Sequence, residues 1–191
     1  MPWAPNNSAA WGEKERGMHY KRGFKRNIVL ALMIGAVAAL AAGALAGTVI
    51  NPANAPSGTH LQSGAIGCTV GTDGLTVSCT AFELAGVGNT NAFVSLQANY
   101  SGVVDCFNHG GNLVESHETT FSAKNEATLT PSRNGRLRVG ARSVSPDLDL
   151  AEPCPNPGWT PQFHAGSPTL DSWSYTLTFA GFTDPYITIT P

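Results

Sequence analysis

An uncharged run at residues 28–46, IVLALMIGAVAALAAGALA, is preceded directly by Lys21, Arg22, Lys25 and Arg26. A basic stretch, an apolar core of about 7–15 residues and small residues at a cleavage position make a secretory signal peptide. Ala44-Leu45-Ala46 supplies the A-x-A site. A spanning helix needs about 20 strongly apolar residues, and the second half of this run is mostly alanine and glycine, which bury little surface. The expectation is cleavage near Ala46. The alternative is a retained N-terminal anchor, with residues 28–46 as the only membrane contact. Both place everything after residue 46 outside the cell, because basic flanks stay cytoplasmic. Residues 1–27 form the basic n-region; an ordinary one begins at Met18, so residues 1–17, which carry no periodicity, read as a mis-assigned start.

The compartment decides how the cysteines are read. Cys68, Cys79, Cys106 and Cys154 are an even set in an exported domain, where disulfides are the default. Asp73-Gly74 reads as a two-residue hairpin turn. Thr72 then faces Leu75, Val70 faces Val77, and Cys68 falls opposite Cys79. On that register the cysteines form a hydrogen-bonded pair with Cα atoms about 5.5 Å apart, within the window for a bridge. The remaining pair is Cys106–Cys154. Chain entropy gives roughly 3 kcal/mol for the short loop and roughly 4 for the long one. A zinc site is the rival, but the tight C-x₂₋₄-C knuckle it uses is missing from the sequence.

Residues 59–191 make one extracellular domain, and folding at this size buries about two thirds of the chain's surface. They carry five Lys/Arg against eleven Asp/Glu, a net of −6. An acidic domain repels phosphate backbones, so nucleic acid is an unfavoured partner. Residues 47–58, with prolines and no charge, read as an extended linker.

Strand patterns recur after residue 60, while helical periodicity does not. Residues 174–179 alternate, with Tyr175, Leu177 and Phe179 on one face; residues 186–190 repeat the pattern with Ile187 and Ile189 inward. Residues 136–139 alternate with their arginines outward, residues 92–100 and 102–107 form a long or bent pair, and 127–130 a short strand. Asp73-Gly74, residues 86–89, 109–112 and Asn134-Gly135 mark turns. Many short strands without βα alternation predict an all-β antiparallel sandwich of immunoglobulin-like kind, with a β-barrel as the alternative.

Leu84-Ala85-Gly86-Val87-Gly88-Asn89, Cys106-Phe107-Asn108-His109-Gly110-Gly111-Asn112 and Cys154-Pro155-Asn156-Pro157-Gly158-Trp159-Thr160 occur in that order. The succession LAGxGN, CxNxGGN, CPNPxWT resembles a group of small secreted actinobacterial proteins over residues 66–181. The resemblance implies a secreted β-rich protein with a bridge between its second and third motifs, in agreement with Cys106–Cys154. It implies no activity, cofactor or site residue.

Signals for chemistry are weak. The sequence contains no G-x-S-x-G elbow and no H-E-x-x-H helix. If residues 113–118 are extended, His117 and Glu118 point to opposite faces. His109, His117 and Glu118 could be ligands or an acid/base pair but read as polar loop residues, and His60 and His164 stand alone and suggest nothing. Glu115 with Glu118, or Asp147 with Asp149, are the acid pairs available to a hydrolase. Gly86-Val87-Gly88-Asn89 lacks the lysine and helix of a phosphate loop and reads as a turn. Trp173 is expected in the core, whereas Trp159, with Asn156 beside it, is the candidate ligand contact because prolines keep it off a central strand. The reading that follows is a secreted, non-catalytic interaction module without metal or cofactor, its partner a cell-envelope component or polysaccharide. A carbohydrate-binding domain and an extracellular hydrolase with an acid pair are the alternatives.

Overall fold

The computed structural model of the chain describes residues 47–150 and 154–191, which fall in one compact unit. The export segment, its cleavage motif and the start at Met18 lie outside them. The strands are β1 (Gly47–Ile50), β2 (His60–Gly64), β3 (Cys68–Val70), β4 (Val77–Cys79), β5 (Phe82–Ala85), β6 (Ala92–Phe107) and β7 (Leu113–Leu129). After them come β8 (Leu137–Val139), β9 (Arg142–Val144), β10 (Thr160–Phe163), β11 (Thr169–Phe179) and β12 (Ile187–Thr190). Pairing is antiparallel throughout.

Six strands make the main sheet, and two three-stranded sheets, β2-β5-β8 and β3-β4-β9, contribute to the same core. The fold is the expected all-β antiparallel sandwich, not a closed barrel. Alternation explains the main sheet. On β6, Ala92, Val94, Leu96, Ala98 and Tyr100 are buried, while the residues between them are not. On β11, Trp173, Tyr175, Leu177 and Phe179 point inward between hydroxyl residues. Large side chains buried in this way contribute about 1.5–3 kcal/mol each. Strand β6 is the spine: β7 lines one edge along its whole length, and the other is shared by β11 over Ala92–Ser101 and β10 over Val104–Phe107.

Two buried phenols make a test of polar satisfaction. The Tyr100 hydroxyl donates to the Leu75 carbonyl at 3.0 Å, whereas the Tyr175 hydroxyl is buried without a partner among the described residues. Burial pushes the Tyr175 phenol up to about 12, against a small opposing effect of Arg142. Tyr100→Phe is expected to lower stability by about 1 kcal/mol, while Tyr175→Phe removes an unmet desolvation cost and leaves stability equal or higher. Urea denaturation of both variants distinguishes the two; a matching loss in each contradicts the assignment.

Three local readings differ from the structure. The Cys68–Cys79 bridge forms in the expected register, Cys68 opposite Cys79 and Val70 opposite Val77. The turn, however, is a six-residue loop closed by Gly71 N–H donating to Thr76 O at 2.7 Å. Asp73 organises it, accepting from the Leu75 and Thr76 amides and from the Thr76 hydroxyl at 2.6 Å. The longer loop moves the hydrogen-bonded pairs by one residue, so the cysteines occupy a non-hydrogen-bonded pair with Cα atoms 4.0 Å apart. Residues 47–58, read as a linker, carry β1, which pairs with β12, and then a 3-10 turn capped by the Asn51 side chain. Asn54 Nδ2 donates to Pro185 O, which fixes this stretch to the sheet. The third difference is β7, a single long strand of which only the last residues carry a clear strand pattern.

Gly86-Val87-Gly88-Asn89 is a structural turn, as read. Gly86 has φ +77°, and a Cβ there would lie 2.1 Å from Gly58 O, so no other residue fits.

Candidate functional site

Many outward residues of the main sheet are polar, with Val49 and Phe93 as exposed apolar exceptions. Register places Val49, Thr188, Thr176, Ser95 and Glu126 in one row across five strands. Thr169, Ser101 and Thr120 form a second row across β11, β6 and β7. Neighbouring strands lie about 4.8 Å apart, so such rows present evenly spaced hydroxyls. Side chains bond along the surface: Ser95 to Glu126 at 2.9 Å, and Asn99 to Ser172 at 2.9 Å.

A groove of about 530 Å³ opens where β11 gives way to β10 along β6, lined by Ser101, Val103, Glu118, Thr120, Ser167 and Thr169 among others. The loop between β10 and β11 builds its floor. His164 N–H donates to Val103 O at 2.9 Å, and Val103 N–H donates to the Ser167 hydroxyl at 2.9 Å. Gly102 lets Pro168 approach closely, its Cα 3.1 Å from where a Cβ would be. On the rim, the Ser101 hydroxyl donates to Asp171 Oδ1 at 2.7 Å and lies 3.1 Å from the Thr169 hydroxyl. Glu118 comes from β7 on the other side.

Further along the same face of β6 is Asp105, 8% exposed. Its carboxylate accepts from the Ser116 hydroxyl at 2.5 Å and is paired with His164 Nδ1 at 2.9 Å. The Ser116 bond, assisted by His164 and opposed by desolvation, holds the Asp105 carboxyl below the usual range. Asp105 and His164 are far apart in sequence; the β10–β6 register, which sets Gln162 opposite Asp105, brings them together. Nothing in the local sequence signals this pair.

Of the residues singled out from the sequence, Trp173 is core, and His117 and Glu118 do lie on opposite faces of β7. Glu115 and Glu118 are therefore on opposite faces as well, and Asp147 Oδ1 is engaged by the Asp149 amide. Trp159 lies in the loop entering β10, partly buried. The Asn156 side chain accepts from Gly158 N–H at 2.9 Å, so it shapes that loop. The Cys106–Cys154 bridge ties the loop to β6. Ligand atoms of Cys106, Glu115 and His117 cluster within 4.8 Å, but the Cys106 sulfur is in the disulfide, leaving two donors where structural zinc takes four.

Three carboxylates, one exposed and two buried, are held low: Asp73 at about 2, chiefly by the Thr76 hydroxyl, Glu83 by Arg136 and then Arg138, and Asp105 as above. Folded values lie below the unfolded ones of about 3.9 for Asp and about 4.3 for Glu, so their stabilisation is complete from about pH 6 upward and fades below about pH 5. It is lost as pH falls toward about 2 for Asp73. The stability difference between wild type and Asp73→Ala is expected to shrink steadily over that interval in acid titrations of unfolding; a constant difference contradicts the loop's role.

Comparison with known proteins returns nothing: no family model, curated protein or solved structure matches the chain.

Proposed function

We propose that the chain is exported and that its folded part is a non-catalytic binding module of the cell exterior, taking a polyhydroxylated ligand of the envelope or a polysaccharide in the groove on the main sheet. The observation that carries this reading is the row Thr169–Ser101–Thr120 lining a groove together with Glu118, with Asp171 bonded to Ser101 beside it. Hydroxyls and carboxylates so spaced accept and donate in pairs, which is what vicinal sugar hydroxyls require. Two disulfides fit an oxidising compartment, and among the described residues no helix is long and apolar enough to cross a membrane.

The test is retention of the full chain on washed cell envelopes and insoluble polysaccharides. Wild type is expected to be retained and Thr120→Tyr, which fills the groove from an exposed position, to be released. Trp159→Ala is expected to be retained, since Trp159 is not among the groove residues. Loss of retention in Trp159→Ala alone moves the site to the loop before β10.

A second reading rests on Glu118, which lines the groove from β7, and Asp171 of β11, which is bonded to the lining residue Ser101. Such a pair serves glycoside hydrolysis. Release of reducing ends by wild type and its loss in both Glu118→Gln and Asp171→Asn supports that reading; retention without turnover supports the first.

A further inference from the structure

We propose that the pocket beside β5 and β8 is a second site, which binds a dianionic phosphate group such as a phosphate monoester. This pocket, about 640 Å³, belongs to the β2-β5-β8 sheet and is lined by Glu83, Ser132, Arg133, Asn134, Arg136 and Arg138, among others. Three of the five cations in residues 59–191 converge here, in a stretch whose net charge is −6. Surface pairing for stability does not call for that concentration, because an exposed ion pair contributes little and one carboxylate needs one guanidinium.

Glu83 is 9% exposed and accepts from Arg136 Nη1 at 2.7 Å with one oxygen and from Arg138 Nε at 3.1 Å with the other. It thereby orients two guanidiniums while leaving most of their N–H donors unspent. The Arg136 and Arg138 side chains are 45% and 90% exposed, so those donors are open to a ligand. Arg133 sits in the adjoining turn, exposed. The turn is rigid: Ser132 N–H donates to Arg136 O at 2.8 Å, Gly135 N–H to Ser132 O at 2.9 Å, and Val87 N–H to Gly135 O at 3.2 Å. Side-chain donors fixed on rigid elements lose little entropy on binding.

Charge selects the ligand. Three guanidiniums against one carboxylate leave a local charge of +2. A phosphate monoester carries about −1.5 to −2 at neutral pH and offers three acceptor oxygens, and arginine forks match that geometry. A lone carboxylate neutralises half of the charge, and a nucleic-acid backbone is repelled by the acidity of the rest of the domain.

Equilibrium dialysis of the full chain against radiolabelled inorganic phosphate, at constant ionic strength in chloride, tests the site. One saturable phosphate per chain is expected, with binding about tenfold weaker in Arg133→Ala and in Arg138→Ala. Affinity is expected to fall as pH drops through the second ionisation of inorganic phosphate, which removes one of its two charges, while sulfate goes on competing. Neither variant touches the groove on the main sheet, so retention on polysaccharide stays at the wild-type level whichever way the dialysis turns out. Absence of saturable binding above the chloride background, or binding equal in wild type and an Arg133→Ala, Arg138→Ala double variant, overturns the proposal.

Discussion

Ending the chain after Tyr186 is expected to abolish cooperative unfolding altogether. Strand β12 lies inside the main sheet, paired on one edge with β1 and on the other with β11. Its removal strips hydrogen-bond partners from both neighbours and detaches β1 from the sheet. Ile187 and Ile189 are 0% and 1% exposed, and they face Leu177 and Tyr175 across the ladder. Truncating one such side chain to alanine costs about 2–5 kcal/mol. A domain holds only about 5–15 kcal/mol in total, so loss of the whole strand exceeds what it can absorb. Ile187→Ala separates packing from pairing, because it keeps the backbone ladder. Thermal denaturation is expected to give no transition for the truncation and a lowered but cooperative one for Ile187→Ala. A truncated chain that melts like wild type contradicts the position of β12 in the sheet.

The second large effect concerns the two bridges, which are expected to differ. Cys106–Cys154 spans 48 residues and Cys68–Cys79 spans 11. In the chain-entropy picture, removing the longer bridge costs about 4 kcal/mol and the shorter about 3. The longer bridge does more than shorten the unfolded chain. Cys106 is wholly buried on β6, and its partner anchors the loop that leads into β10, the strand that carries Phe163. Phe163 stacks on Phe121 at 5.7 Å, and Phe121 stacks on Tyr100 at 5.4 Å. Loosening the loop therefore loosens one end of an aromatic row. The Cys106→Ala, Cys154→Ala double variant is expected to melt about 12 °C lower, with Cys68→Ala, Cys79→Ala falling less. Equal losses, or a greater loss from the short bridge, contradict this account.

Both expectations come from features that the sequence shows plainly. From Trp173 onward β11 alternates, as does β12, because each has one face in the core and one in the open, and period-two patterning reports that directly. The Cys68–Cys79 pairing was legible for another reason: register depends on where a hairpin is centred. The six-residue loop has the same centre as the two-residue turn read from Asp73-Gly74, so the partners agree although the turn does not.

Strand β7 was hidden by its place at the edge. Its inward positions are Glu115, His117, Thr119, Phe121, Ala123, Asn125, Ala127 and Leu129, half of them polar, because toward the hairpin tip the strand runs past the main core. Strand β1 was masked by the prolines that follow it. Pro52 sits in the first turn of a 3-10 helix, where its missing N–H costs nothing. The groove and the Asp105–His164 pair depend on contacts between distant segments, which no local window contains. The same holds for the arginine pocket, where Glu83 meets Arg136 and Arg138 through the β5–β8 register.

The central claim is that the groove on the main sheet is the place where a ligand sits. Hydrogen exchange of the full chain, with and without soluble oligosaccharides from a polysaccharide that retains it, tests this directly. The expected result is added protection at residues 101–103, 118–120 and 167–169, with the rest of the domain unchanged. Protection confined to the loop at 156–160, or none at any segment, contradicts it.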